Sequence, residues 1–215
     1  MAAKVSTPPN ARHSVEKAGR ENGASGRGLP VPPRLYYTGS LLAAAAVAMI
    51  FAGLTSALVV RKGVSNDWRP LVLPRLMYLN TAALLASSVA LEWARGSSRR
   101  FASGTAGNVL WNRRFGWVLA IGLAFLAGQT VALRQLAARP ILAAANPGAA
   151  FFYLLTIVHG AFVLGGVLAV VYAAFKAKSA AGQARSRAML GAAAFYWHFV
   201  VALWIYLLVL LALEM

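Results

Sequence analysis

The chain has no cysteine. That excludes disulfides, thiolate metal sites, iron–sulfur clusters, covalently attached c-type haem and cysteine nucleophiles together. Acidic groups are nearly as scarce: Glu16, Glu21, Asp67, Glu92 and Glu214 are the only five in 215 residues. None falls in the middle of an apolar run, so the chain lacks the intramembrane carboxylate of a proton-coupled carrier and is not expected to relay protons alone. Charged residues make up only 12% of the sequence. No apolar stretch lies near the start, as a cleaved leader requires, so the first apolar segment is expected to be retained.

What is there instead is hydrocarbon. Hydrophobic residues are 60% of the chain and the mean hydropathy is +0.63, too apolar for one ordinary soluble core. The 21 Lys and Arg lie in short clusters between apolar runs, as in the loops of a membrane protein, and no nucleic-acid partner is expected. Residues 1–34 mix Pro, Gly, Ser, Asn and Arg without periodicity and read as a disordered basic cytoplasmic tail. Residues 35–215 read as an all-α bundle of five transmembrane helices, with spans near 35–60, 76–93, 115–136, 149–175 and 189–213. Helices are required because every backbone polar group in lipid must be satisfied within its own segment, and no strand-like alternation is present. The second span is the least apolar, with Pro70, Pro74 and Arg75 at its start.

Orientation follows from the basic residues. Six in the tail (Lys4, Arg12, Lys17, Arg20, Arg27, Arg34), five in the second loop (Arg95, Arg99, Arg100, Arg113, Arg114) and four in the fourth (Lys176, Lys178, Arg185, Arg187) place fifteen on one side. The other side has six: Arg61, Lys62, Arg69, Arg75, Arg134 and Arg139. The imbalance predicts an N-terminus inside and a C-terminus outside. Rows of small residues, Ala44, Ala48, Ala52 and Ser56 in the first span and Ala161, Gly165, Ala169 and Ala173 in the fourth, are expected helix contacts. Tyr36, Tyr37, Trp93, Trp111 and Trp117 near span ends are expected to anchor at the headgroups.

Polar groups inside the spans are few: Asn80, Thr81, Ser87 and Ser88, then Gln129 and Thr130, then His159, then His198. Such groups more often tie helices together than react. The two span histidines fall in opposite halves of the bilayer, which disfavours a shared haem, so both are expected to be hydrogen-bonded structural residues. His13 sits in the tail. Glu92, four residues after Ser88 and followed by Arg95, is expected to pair with a cation or another subunit near the inner surface.

Specific words in the sequence go further. The run from Phe151-Phe152-Tyr153 through Thr156 to His159-Gly160 and Gly165-Gly166 resembles a late-helix signature of cytochrome c oxidase subunit III. Tyr196-Trp197-His198-Phe199-Val200 is similar to that family's final-helix signature. Leu79-Asn80-Thr81, Leu84 to Ser88, Trp93-Ala94 and Gln129 agree in order and spacing, and the resemblance runs from about Tyr37 to the C-terminus. It suits the five-helix form of the family. The resemblance implies a noncatalytic subunit of a haem-copper oxidase in the bacterial cell membrane, with haem and copper in partner subunits and no cofactor of its own. The partners implied are the catalytic subunit, other subunits of the complex and membrane phospholipid. His159, His198, Trp197, Tyr196, Asn80, Thr81, Gln129 and Glu92 are its structural, lipid or interface candidates.

The departures all remove polarity. Where the family usually has a glutamate in the first of these helices this chain has Val47, and where it has a second histidine this chain has Phe162. A family aspartate is replaced by Val201 and a further glutamate by Gly191. The resemblance implies that those groups hold phospholipid and support proton uptake by the catalytic subunit. Other readings open at this point are a relative of the same family associated with nitric oxide reductase, a small membrane transporter and a membrane haem protein.

Overall fold

The computed structural model describes residues 32–64, 66–68, 73–98, 105–138, 146–179 and 183–214. Five helices make up the described chain: α1 (Pro33–Val64), α2 (Leu76–Ser98), α3 (Thr105–Ala137), α4 (Pro147–Ser179) and α5 (Gln183–Glu214), with no strand among the described residues. Residues 33–215 form one compact unit. The expected disordered tail lies almost wholly outside the described residues, as do Arg69, Arg99, Arg100 and Arg139.

Local chemistry sets several boundaries. Pro33 opens α1 and Pro147 opens α4, at the first helical position, where the missing N–H has no intrahelical partner to lose. Asn146 caps α4: its Oδ1 accepts from the Gly148 N–H at 3.0 Å. α2 begins at Leu76, as the upstream prolines require. The helices overrun the apolar stretches that announced them. α3 begins at Thr105, ten residues before the expected span, so Arg113 and Arg114 are helical and not in a loop. Nothing in Thr105–Arg114 breaks a helix, and backbone hydrogen bonding continues where the apolar side chains stop.

α1, α3, α4 and α5 are each long and apolar enough to cross a membrane. α2 has the length, 23 residues, but Asn80, Thr81, Ser87, Ser88 and Glu92 make it more polar. Side-chain contacts fix an up-and-down order. α1 and α5 run parallel, joined by Ser40 to the Ala192 carbonyl (2.8 Å), Tyr206 to Thr55 (3.1 Å) and Lys62 to Glu214 (2.9 Å). α2 and α4 run antiparallel to α5, and α3 packs against α2 and α4.

Buried positions repeat at alternating spacings of three and four. In α2 they are Met77, Asn80, Leu84, Ser87, Leu91 and Ala94; in α3, Phe115, Val118, Gly122, Phe125, Gln129, Ala132 and Leu136; in the second half of α5 the same row runs through Trp197, Val200, Trp204, Leu207 and Leu211, with Val201 buried beside it. A mean spacing of 3.5 is the seam of a left-handed bundle. The opposite faces are equally apolar and exposed, Met49, Val60, Val89 and Leu168 among them. That is the surface of a protein solvated by lipid.

The small-residue rows are corrected. Only Ala44 of the first-span row is buried; Ala48, Ala52 and Ser56 face outward, because α1 packs through Ser40, Ala44, Val47, Phe51 and Leu58. Of the α4 row, Ala161 is exposed, Gly165 and Ala169 line a cleft, and Ala173 at the end of that cleft is buried in the core as expected.

Candidate functional site

Most of the candidate residues converge on the seam between α2 and α5. The Trp204 Nε1–H donates to Thr81 Oγ1 at 2.9 Å, and the Trp197 Nε1–H donates to Ser87 Oγ at 3.2 Å. One turn further towards the α2 C-terminus, His198 stands between Ser88, bonded to Nδ1, and Glu92, whose Oε1 lies 2.8 Å from Nε2. An ionised carboxylate only accepts, so Nε2 carries the proton towards Glu92. Arg95 bonds the same carboxylate oxygen. Beside this group the Arg114 guanidinium lies over the Trp93 ring, 4.0 Å from its centroid. Of the polar residues that lower the hydropathy of α2, Thr81, Ser87, Ser88 and Glu92 thus face α5, where a hydrogen bond between helices replaces the missing water, and Asn80 faces α3.

The Trp197 indole is a wedge. A Cβ added at Gly122 of α3 would meet it at 3.0 Å and one at Gly166 of α4 at 3.1 Å, so only glycine lets these backbones close on the ring from both sides. Tyr196, next to it, donates its hydroxyl to the Phe162 carbonyl at 3.4 Å.

His159 differs from His198. It is fully buried, and neither ring nitrogen has a hydrogen-bond partner. Its ring sits among Phe51 (6.3 Å), Phe125 (6.2 Å) and Trp204 (4.8 Å between centroids). His198 is thus hydrogen-bonded to side chains of α2, whereas His159 makes no hydrogen bond to another group of the described chain. The histidines also sit at different levels: His159 contacts Trp204, six residues and about 9 Å along α5 from His198. Gln129 and Asn80 are buried, and the Asn80 amide fills the space over Gly128, where a Cβ would lie 2.2 Å from Oδ1. Thr130, by contrast, faces outward and bonds its own helix at the Leu126 carbonyl, 2.9 Å away.

α1, α4 and α5 diverge around a cleft of about 340 Å³, lined by Tyr36, Ser40, Ala169, Tyr172 and Tyr196 among others. Arg185 Nε donates to the Tyr36 hydroxyl at 3.0 Å near its mouth. The opposite end of the bundle is tied by Lys62 to Glu214, by the Trp68 Nε1–H to the Glu214 carbonyl (3.2 Å) and by Arg61 to Asp67 (3.0 Å). No grouping of three or more metal-ligating side chains occurs among the described residues.

Sequence reasoning missed Trp204, Gly122, the contact of Gly166 with Trp197 and the Tyr37–Gly191 contact. Trp204 had a signal, since it follows Trp197 by seven residues, two turns along one face. The glycines had none, because their role is defined by a ring on another helix. The Trp111 side chain lies outside the described residues; Tyr37, Trp93 and Trp117 are exposed.

The family model for cytochrome c oxidase subunit III matches residues 18–213. The chain belongs to the cytochrome c oxidase subunit III family. Proteins named cytochrome c oxidase subunit 3 are similar to it: that of Synechocystis sp. is 32% identical over 84% of this chain and 76% of its own length. Those of Thermostichus vulcanus (27%, covering 76% and 79%) and Corynebacterium diphtheriae (28%, covering 80% and 85%) are further relatives. With its membrane-crossing helices, the chain is a multi-pass membrane protein. Val47, Phe162, Val201 and Gly191, where the resemblance led polar groups to be expected, are all closely packed. Val47 and Val201 are buried in helix contacts, and Phe162 places its edge on Phe51 at 6.0 Å. At Gly191 a Cβ would fall 1.9 Å from the Tyr37 hydroxyl oxygen, so no longer side chain fits unless Tyr37 moves.

Proposed function

We propose that this chain is the noncatalytic subunit III of a haem-copper terminal oxidase of the cytochrome c oxidase type, acting in aerobic respiratory electron transport. The family match over residues 18–213 carries the reading. The arrangement of side chains supports a mechanical role: α5 is held to its neighbours by tryptophan wedges and interhelical hydrogen bonds, which makes a stiff bundle to pack beside and stabilise the catalytic subunit. The chain is not catalytic on its own. It carries no cofactor; haem and copper belong to the partner subunits. In support, His198 has both ring nitrogens engaged and His159 is boxed by aromatic rings.

All five helices cross the cell membrane of a bacterium, α2 included, because Thr81 and Ser87 are turned to α5 and Asn80 to α3, which leaves lipid residues such as Leu79, Leu85 and Val89. The N-terminus is inside and the C-terminus outside. Arg34, Arg95, Arg113, Arg114, Lys176, Arg185 and Arg187 lie at one end of the bundle, whereas the other end mixes Arg61, Lys62, Arg75 and Arg134 with Asp67 and Glu214. Phospholipid is the second partner: its acyl chains fit the cleft between α1, α4 and α5, with Arg185 near the headgroups.

Purification of the tagged chain from its native membranes in mild detergent, with mass spectrometry of everything that accompanies it, tests the proposal. A haem-copper oxidase core is expected. Recovery of the chain alone, under conditions that keep respiratory complexes intact, overturns it.

A further inference from the structure

Among the described residues, besides Arg114 Nε, one group of buried polar side chains has atoms without a hydrogen-bond partner. Asn80 Nδ2, both amide atoms of Gln129, Thr156 Oγ1 and both ring nitrogens of His159 are buried without a hydrogen bond, and the four residues come from three different helices. Contacts between the helices place them in one layer. Asn80 lies against Gly128, the neighbour of Gln129; Gln129 follows Phe125 by one turn, and Phe125 contacts His159; Thr156 precedes His159 by one turn. Asn80 also adjoins Thr81, which accepts from Trp204, the ring stacked beside His159. All four side chains thus fall within about two turns, on the order of 10 Å, along the bundle.

The surroundings supply nothing to bond. Phe51 and Phe125 are hydrocarbon, and the Trp204 N–H is already given to Thr81. Amides and hydroxyls left unpaired in an apolar medium are costly, and several together would be a heavy penalty for the fold. A cation is a poor occupant, because no carboxylate lies in the layer, and a neutral histidine, a hydroxyl and two amides offer donors and acceptors in similar number. Water matches that inventory, since each molecule both donates and accepts and buried waters take two to four such partners.

We propose that Asn80, Gln129, Thr156 and His159 form a sealed polar layer between α2, α3 and α4 that binds ordered water. The water is structural: it completes the hydrogen bonding of the three helices around His159 and fixes their register, much as the direct bonds of the α2–α5 seam do one face away.

The test uses the full chain as purified from native membranes, with whatever subunits accompany it. Electron cryomicroscopy at a resolution that orders solvent should show density within hydrogen-bonding distance of Gln129 and His159, and a layer with no such density overturns the proposal. Thr156→Val, which removes the hydroxyl at constant volume, gives an independent reading. A hydrated layer loses a water ligand and its melting temperature falls, whereas a dry layer is relieved of an unpaired hydroxyl and its melting temperature rises or stays the same. Gln129→Met separates the two cases in the same direction, so a rise in both variants counts against water.

Discussion

His198 and His159 share a residue type and a lipid-spanning setting, yet their neighbours give them opposite characters. His198 holds together a chain of four polar groups, Ser88, its own ring, Glu92 and Arg95, that spans α2 and α5. His198→Leu strips Ser88 and Glu92 of their partner on α5, and interhelical hydrogen bonds in membranes are worth about 1–2 kcal/mol. We expect a lower melting temperature for the purified complex and an unchanged haem absorbance; loss of a haem signal from this chain itself would show that the ring is a ligand. Trp204→Phe should also lower the melting temperature, since it removes the 2.9 Å bond to Thr81 and leaves a cavity where the larger, fully buried indole stood. The sequence exposed His198 as a polar group in an apolar run, and that sufficed to nominate it. Its partners were legible only in part: Ser88 and Glu92 stand one turn apart on a helix, but which helix they face depends on packing.

At the scale of elements, glycine positions decide how closely α3 and α4 approach α5. Trp197 presses on Gly122 and Gly166, while nothing lies within 4 Å of a Cβ placed on Gly53. Gly166→Ala should therefore destabilise the bundle by about 1–3 kcal/mol through overpacking, and Gly53→Ala should be neutral or slightly stabilising. Thermal melts of both variants in the same detergent check this, and equal behaviour would mean that the wedge is not a tight contact. The five helices were foreseen from length and hydropathy alone, because a run of some twenty apolar residues has one low-energy solution in lipid. Helix ends were less legible, as the early start of α3 at Thr105 illustrates: hydropathy marks where side chains become polar, not where backbone hydrogen bonding stops.

For the whole molecule, the proposed orientation rests on the charge at the two ends of the bundle. Alkaline phosphatase fused after Glu214 should be active outside the cell, and the same reporter fused before Pro33 should be silent; the reverse pattern would invert the topology. Lys62 and Glu214 pair at the less basic end, part-buried beside Trp68, and link the ends of the two parallel helices α1 and α5. By itself the sequence determined that this is a helical membrane protein without thiol chemistry, and through a few words such as Tyr196-Trp197-His198-Phe199 it determined the family. Those properties reside in composition, run length and short local strings. The tertiary structure alone decided which face of each helix is buried, because helices that are apolar all round carry no amphipathic signal: α1 packs through Ser40, Ala44, Val47 and Phe51, not through the row Ala48, Ala52 and Ser56. It likewise decided that Tyr37 occupies the space beside Gly191 and that His159 shares a buried layer with Gln129, since shape and hydrogen bonding between helices depend on residues far apart in the chain.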